Sequence, residues 1–176
     1  MDTLFEICEN QPFVRRALLK RLNVYNDQVS IFLSSVLRDI PYLAAAQDET
    51  ISAIAKTMTQ TFLETGAIYY DVGDAQGCMS IIQHGQIDLI TTLDNNTSSI
   101  VLEKLTRGAI LGANMVLNGD QNKVTAQCSS PVQIYSIEKE RFFDLVKNDA
   151  DCFAKMESIH KELVKVPAAD RILDFN

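Results

Sequence analysis

All seven glycines of this 176-residue chain lie in one central stretch, from Gly66 to Gly119. Glycine is favoured where the backbone reverses in tight turns, so this stretch predicts a turn-rich segment of short β-strands. Residues 1–64 and 138–176 contain no glycine, and their apolar residues recur at helical spacing. The glycine distribution therefore predicts the order helices, β segment, helices.

The helical flanks contain signals for where helices stop and start. Pro41 is predicted to interrupt the first helix, and Asp48 is predicted to cap a second one. Apolar spacing predicts a last helix from Asp151 to Val166. We therefore expect two helices to meet before the β segment and helices to follow it.

Within the β segment the apolar residues recur with a period near two. This spacing predicts short antiparallel strands on both sides of the turn at His84 and Gly85, and a last strand after Pro131. Apolar residues of these strands are expected to form the core of the segment. The predicted core residues are Ile81, Ile87, Leu89, Leu102, Ile110, Ile134 and Ile137.

Composition narrows the function classes. Lys and Arg number 16 against 23 Asp and Glu, and the formal charge of −7 is the wrong sign for a surface that neutralises nucleic-acid phosphates. The longest apolar run, Tyr42 to Ala46, is far shorter than the roughly 20 residues of a membrane-spanning helix. Cysteines and histidines lack the spacing of a metal site, and no nucleophile has a base at a defensible spacing. We expect no nucleic-acid partner, no metal and no enzymatic activity.

Four sequence blocks, each containing a glycine, carry a family resemblance. They are residues 63–69, 72–74, 79–89 and 105–112. Together they resemble the glycine framework of cyclic nucleotide-binding domains. The resemblance implies an α+β fold, namely an antiparallel β-roll of jelly-roll type that is flanked by helices.

The segment before the roll has a resemblance of its own. Residues 19–43 are similar to the end of the helical C-linker that precedes this domain in cyclic nucleotide-gated, hyperpolarisation-activated and ether-a-go-go-type channels. A related arrangement occurs in the sperm-type sodium/proton exchanger. The resemblance implies a C-linker-like segment at 1–46, the nucleotide-binding-like domain at 47–166 and a tail at 167–176.

This resemblance also implies a setting for the chain. It implies a regulatory domain at the cytoplasmic face of a membrane, attached to the membrane-embedded part of the same polypeptide. The N-terminal helices would offer a surface for a homo-oligomer. A stand-alone scaffold of the kinase regulatory-subunit kind is the alternative.

The phosphate-binding cassette of the family corresponds to residues 111–125, and both of its charged anchors are replaced. Ala113 stands where the family has the Glu that binds the ribose hydroxyl, and Asn122 stands where it has the Arg that binds the cyclic phosphate. Hydrogen bonds to charged groups contribute about 1.5 to 3 kcal/mol each. We therefore expect no cofactor, with cAMP or cGMP bound weakly or not at all. A true nucleotide sensor with an altered cassette is the alternative.

Other cassette residues keep that alternative open. Gly112 allows close backbone approach, and the backbone amides of Ala113 to Met115 could cradle an anion. Lys123 could supply a cation if the strand shifted by one residue, whereas a solvated lysine is the other interpretation. The candidate ligand-binding residues are Gly112, Ala113, Asn114, Met115, Asn122, Lys123 and Val124.

The C-terminal tail offers another way to fill the pocket. In ether-a-go-go-type channels a short aromatic segment folds back into the cavity as an intrinsic ligand, and the end of this chain is similar in type. The resemblance implies that Phe175 would take the place of a purine ring, with Asp174 or Asn176 as its polar edge. A frayed terminus that contains a Phe is the alternative.

Overall fold

The fold begins with two helices joined by a short turn segment. The computed structural model describes residues 12–75, 77–92, 99–119 and 121–165. Helix α1 spans Pro12–Arg38 and helix α2 spans Asp48–Thr57, so α1 ends before Pro41, as predicted. The extended Gln47, not Asp48, is the N-cap of α2. Asp48 is the first residue of α2, and a negative charge is favourable at the N-terminus of a helix. Its carboxylate accepts a hydrogen bond from Arg38.

Short strands and three further helices follow. The strands are β1 Thr59–Leu63, β2 Ile68–Tyr70, β3 Cys78–His84, β4 Ile87–Thr92, β5 Ser99–Leu105, β6 Ile110–Leu111, β7 Thr125–Cys128 and β8 Val132–Glu138. The helices are α3 Ala113–Asn118, α4 Lys139–Val146 and α5 Ala150–Lys165. Helix α5 is the predicted last helix, begun one residue earlier than expected, and Val166 lies outside the described residues.

The strands form two four-stranded antiparallel sheets, which confirms the predicted α+β roll. The first sheet has the order β1-β8-β3-β6, and the second has the order β2-β7-β4-β5. The turn at Gly85 carries the chain from one sheet to the other, so β3 and β4 are not paired with each other. Gly85 has φ +89°, and a Cβ there would meet the backbone oxygen of Pro131 and lie 2.9 Å from Val132 Cα. Only glycine fits this corner of the roll.

Two hydrophobic clusters hold the fold together. One lies between the two sheets and includes Ile82, Ile87 and Ile134. The other lies between the helices and the outer face of the first sheet, and it includes Leu37 and Phe142. Strands β3 and β8 are therefore buried on both faces, so their apolar residues run nearly continuously and not in strict alternation.

Leu102 is a correction to the predicted core. Its side chain is 52% exposed, because the pairing of β4 with β5 shifts register beside it. Leu89 pairs with Glu103 and Ile90 pairs with Val101, so Leu102 is the extra residue of a β-bulge. Of the other predicted core residues, Ile110 is half-buried, and the remaining five are buried: Ile81, Ile87, Leu89, Ile134 and Ile137.

A buried carboxylate joins the helix that precedes the roll, α2, to the last helix, α5. Asp149 is only 2% exposed and lies just before α5. It accepts hydrogen bonds from the backbone N–H of Gln47 and the hydroxyl of Thr50, each at 2.8 Å, and from the N–H of Cys152 at 3.1 Å. The same side chain therefore satisfies the start of α5 and fixes the start of α2 against it.

Candidate functional site

A cavity of about 460 Å³ opens at the end of the roll beside the short helix α3. Its walls come from the β-roll and from the segment after α1. The β-roll contributes Tyr70, Leu89, Glu103 and Leu105, and the segment after α1 contributes Asp39, Ile40 and Pro41. The remaining wall is the continuous stretch 108–115, which includes the start of the cassette.

Four of the seven predicted cassette residues line this cavity. They are Gly112, Ala113, Asn114 and Met115. Gly112 is the N-cap of α3 and has φ 77°, a left-handed conformation that favours glycine. This conformation turns the chain from β6 directly into α3, and so the next three residues lie at the cavity.

Asn122, Lys123 and Val124 do not line the cavity. Asn122 is 2% exposed, and its Nδ2 donates to the backbone oxygen of Asp74 at 3.2 Å. Backbone hydrogen bonds at 2.8 and 3.0 Å join it to Gly73 and Asp74, so it fastens the loop before β3. Lys123 is exposed, and Val124 is buried between the sheets. The structure does not bring a cation from residues 122–124 to the cavity.

Two carboxylates that the sequence analysis did not select lie at the cavity wall. Glu103 is half-buried on β5, and Asp39 is exposed just after α1. No Lys, Arg or His is among the wall residues in the described ranges. Arg107 adjoins the wall, but its guanidinium lies 4.6 Å from the ring centroid of Phe32 on α1. Two acidic residues and no basic residue of the described ranges therefore line the cavity.

Asn114 adds an acceptor to this wall. Its Oδ1 is buried and has no hydrogen-bond partner among the described residues. A buried amide oxygen without a donor is unfavourable by about 1 to 3 kcal/mol. Asn114 thus lines the cavity with a side-chain oxygen that is itself buried and unpaired.

Tyr42 connects the segment after α1 to helix α3. Its hydroxyl donates to the backbone oxygen of Ala113 at 3.2 Å, and its ring packs edge-on against Phe142, with centroids 6.2 Å apart. The Cys152 thiol, on α5, contacts the Tyr42 backbone oxygen at 3.5 Å. Burial, and secondarily the nearby Cys152, raises the pKa of Tyr42 well above its ordinary value, so the hydroxyl remains a donor.

Helix α5 also contacts helix α3. His160 Nδ1 donates to the side-chain oxygen of Asn118 at 3.0 Å. Tyr42 and His160 thus hold the two ends of α3. A displacement of α3 would therefore disturb its contacts with both the segment after α1 and helix α5.

Several expectations fall on other parts of the chain. Asp174, Phe175 and Asn176 lie outside the described residues, so the intrinsic-ligand hypothesis stays a prediction.

Across the described ranges no three His, Cys, Asp or Glu side chains are grouped to hold a metal ion. No helix in the described part of the chain combines the length and apolarity needed to cross a bilayer.

Comparison with known proteins places the β-roll in a defined family. The family model described as the cyclic nucleotide-binding domain matches residues 60–149, just over half of the chain. No curated protein sequence shows a significant match.

Solved structures with the same fold come from several kinds of protein. A cyclic nucleotide-binding-like protein from Brucella abortus has 18% identity and a TM-score of 0.60, over 65% of this chain and 97% of that one. The N-terminal domain of a transcriptional regulator from Streptomyces coelicolor has 18% identity and a TM-score of 0.63, over 80% and 97%. The regulatory domain of Toxoplasma gondii PKA, solved with cAMP, has 13% identity and a TM-score of 0.59, over 80% of this chain and 51% of that one. This chain thus spans about half of the Toxoplasma domain, and at these identities the likeness concerns the fold.

Proposed function

Because the chain belongs to the cyclic nucleotide-binding domain family, we propose that it is a regulatory domain whose cavity is coupled to helix α1 and binds cyclic nucleotides weakly or not at all. The composition of the cavity wall carries this proposal. The segment after α1 and the cassette line the same space, so Ile40 and Ala113 belong to one wall. Any change in what occupies the cavity bears directly on the end of α1.

Three features support weak nucleotide binding. Ala113 presents a methyl group where the family Glu would accept a hydrogen bond from the ribose. Asn122 directs its amide to Asp74 and not into the cavity. No Lys, Arg or His of the described residues lines the cavity, so no cation there replaces the missing Arg. Each feature removes an attraction for the nucleotide.

Two contacts support the coupling to α1. Tyr42 holds the first residue of α3 through the hydrogen bond to the oxygen of Ala113. Arg107 holds the turn before β6 to Phe32 of α1. These contacts join Arg107 to α1 and Ala113 to the segment after α1, so both oppose a displacement of the wall residues between them.

We place this regulatory domain on the cytosolic side of a membrane channel or transporter, with α1 leading to the membrane-embedded part. The similarity of residues 19–43 to a C-linker supports this setting. The early part of α1 also presents apolar side chains to solvent, with Phe13 83% exposed and Leu19 50% exposed. A helix with this surface is suited to contact another helix, including that of a second copy in a homo-oligomer.

Calorimetric titration with cAMP and cGMP up to millimolar concentration tests the nucleotide part of the proposal. We expect neither nucleotide to bind more tightly than about 100 μM, which corresponds to about −5.5 kcal/mol. A dissociation constant of a few micromolar would contradict the proposal and establish the alternative, a cyclic nucleotide sensor with an altered cassette.

Restoring the anchors gives the matched test. The double variant Ala113→Glu with Asn122→Arg should tighten nucleotide binding if the cassette backbone follows the family. Lys123→Ala is the control, because this exposed side chain does not line the cavity. Loss of residual affinity in Lys123→Ala would show instead that this lysine contacts the phosphate.

A further inference from the structure

The early part of helix α1 carries a cluster of positive charge. Four basic residues, all with exposed side chains, lie in its first three turns: Arg15, Arg16, Lys20 and Arg21. Residues 12–26 contain no Asp or Glu. The whole chain, in contrast, has a formal charge of −7. Positive charge is therefore concentrated in one short part of an otherwise acidic chain.

This part of α1 is not packed against the domain. Among the described side chains of α1, Val29 is the first that is buried, and Leu33 and Leu37 follow it. None of the four cations forms an ion pair with a described residue. The charge of residues 15–21 is thus not used to stabilise the described part of the fold.

Three of the four cations share one face of the helix with an aromatic ring. Phe13, Arg16 and Lys20 fall within about 60° of one another, because a helix has about 3.6 residues per turn. Arg21 adjoins them, about 80° from Phe13. We call these four residues the basic face. Its aromatic member is fully available for contact, since Phe13 is 83% exposed.

The opposite side of this helix has a different character. Arg15 lies there, between Leu18 and Leu19 in helical projection. That side offers apolar residues to another helix. The basic face does not, because a seam between helices needs apolar residues at spacings of three and four. Two copies of the basic face would bring like charges together.

The basic face has the composition of a helix that lies on an anionic phospholipid surface. Arg and Lys side chains place their charged ends at the headgroups while their stems contact apolar material. Phe side chains of such helices enter the boundary between headgroups and acyl chains. Negative headgroups also supply the charge that this face lacks a partner for within the described domain.

Acidic residues further along α1 lie too far away to cancel this charge. Asp27 is the next acidic residue after Arg21, six positions and about 9 Å further along the helix. Val29, where the packing of α1 begins, is about 12 Å from Arg21 along the same axis. Both distances exceed the screening length of about 8 Å at physiological ionic strength. The basic face therefore presents a local positive charge to a nearby surface.

We propose that the basic face of α1 lies on the surface of a phospholipid membrane that is rich in anionic headgroups. Phe13 enters the interface, and Arg16, Lys20 and Arg21 contact the headgroup phosphates and carboxylates. The membrane surface thereby sets the orientation of α1, and residues 39–41 after this helix line the cavity. This contact does not depend on what the cavity binds.

Flotation of the 176-residue chain with vesicles tests the lipid preference. Vesicles of phosphatidylcholine alone are compared with vesicles in which part of this lipid is replaced by phosphatidylserine. We expect at least about tenfold stronger partitioning into the vesicles with phosphatidylserine, because each cation near an anionic surface adds to the attraction. Added salt should remove the preference. Equal partitioning into both kinds of vesicle, or into neither, would overturn the proposal.

Two neighbouring arginines give a matched comparison of the two sides of the helix. Arg16→Gln should lower partitioning into phosphatidylserine vesicles about fivefold, the worth of one cation at the surface. Arg15→Gln is the control and should lower it less than about twofold, because a helix is about 10 Å wide and its far side is screened. Equal losses in the two variants would show attraction by net charge alone and would overturn the assignment of this face.

A triple variant and an aromatic variant complete the series. Arg16→Gln with Lys20→Gln and Arg21→Gln should abolish the preference for phosphatidylserine, and Phe13→Ala should weaken partitioning without changing its salt dependence. All four side chains are exposed, so the amide spectrum of the β-roll should stay that of the wild type. A preference that survives in the triple variant would contradict the proposal.

Sedimentation without lipid tests a second copy of the chain as the alternative occupant. We expect the wild type and the triple variant to show the same oligomeric state, because like charges keep two basic faces apart. An oligomer that only the triple variant loses would assign the face to a second copy and overturn the membrane contact. Titrations with cAMP and cGMP concern the cavity, so their outcome leaves this inference unchanged.

Discussion

At the scale of single residues, the Tyr42 hydroxyl is the most direct link between the helical segment and the cavity. It is a buried donor to the oxygen of Ala113, and its ring contacts Phe142 in α4. One side chain thus touches the wall of the cavity and the core beneath it. Removing only the oxygen tests the link without changing the packing of the ring.

We expect Tyr42→Phe to lower the free energy of unfolding by about 0.5 to 1.5 kcal/mol, because it removes a buried hydrogen bond to the Ala113 oxygen. Amide hydrogen exchange should accelerate at residues 39–43 and 113–118. Tyr69→Phe is the control, because its hydroxyl bonds Ser80 away from the cavity wall. If both variants produce the same exchange pattern, Tyr42 has no special part in the coupling.

Asp149 is the second residue whose chemistry has a measurable consequence. Burial alone would raise its pKa, but the hydrogen bonds from Gln47, Cys152 and Thr50 outweigh burial and hold the pKa below its ordinary value. A carboxyl group with a lowered folded-state pKa stabilises the fold fully above its unfolded-state pKa. This contribution is lost as the pH falls through the folded-state pKa.

We therefore expect Asp149→Asn to be less stable than the wild type at neutral pH and to lose less stability between neutral and acid pH. Urea unfolding across this pH range measures both effects. Asp151→Asn is the control, because its exposed side chain lies outside the described hydrogen bonds of the junction. A wild-type slope in Asp149→Asn would show that other carboxylates control the acid sensitivity.

The sequence predicted part of the cavity at this scale and missed the rest. Gly112 and Ala113 were found because a glycine framework fixes their place in the family pattern. Glu103 and Asp39 were missed because neither belongs to a recognisable motif. A charged residue beside an apolar run, as in Leu102-Glu103, is the one local signal, and it is equally typical of a solvated strand face.

At the scale of elements, the bulge in β5 decides which side chains meet the cavity. Ile100, Val101 and Leu102 are consecutive apolar residues, so the sequence alone does not show which of them faces inward. The register shift removes Leu102 from the pairing and sets Glu103 opposite Leu89, and both of these residues line the cavity. The bulge therefore exchanges a predicted core leucine for a carboxylate at the site.

A pair of leucine truncations tests the bulge. Leu105→Ala should cost about 2 to 5 kcal/mol, because Leu105 is 5% exposed and packs between the sheets. Leu102→Ala should change the free energy of unfolding by no more than about 0.5 kcal/mol, because its side chain is mostly in solvent. Denaturant unfolding of both variants provides the measurement. A large loss of stability in Leu102→Ala would show that Leu102 is buried, as the sequence predicted.

The elements were predicted better than their pairing. Helix α1 was predicted from the helical spacing of apolar residues, and Val29, Leu33 and Leu37 of that helix are buried. The division of the strands into two sheets did not follow from local periodicity, because it depends on contacts between distant segments such as β1 with β8. It came from the family resemblance, which contains that long-range information.

At the scale of the whole molecule, the cavity lies where the two hydrophobic clusters meet. Leu111 belongs to the cluster between the sheets, whereas Ala113 and Val116 belong to the cluster beneath the helices. Gly112 separates them. A ligand in the cavity can therefore change how the roll and the helices pack on each other, which is the arrangement that a regulatory domain needs.

The predicted tail ligand bears on the same junction. Asp174 would add a carboxylate to a cavity that already has Asp39 and Glu103 in its wall. The apolar wall would still favour burial of the Phe175 ring. If the tail enters, we therefore expect Phe175 inside and Asp174 at the mouth, where water screens its charge.

Deleting residues 167–176 tests this arrangement. With the tail in the cavity, its removal should lower the free energy of unfolding by about 1 to 3 kcal/mol, the worth of burying one aromatic side chain. It should also raise whatever weak affinity for cAMP or cGMP exists, because a competitor is gone. Phe175→Ala should reproduce both effects in the full chain, and Asn176→Ala is the control. An unchanged melting curve, together with nanosecond motion of the tail in backbone relaxation, would show that the tail stays outside the cavity.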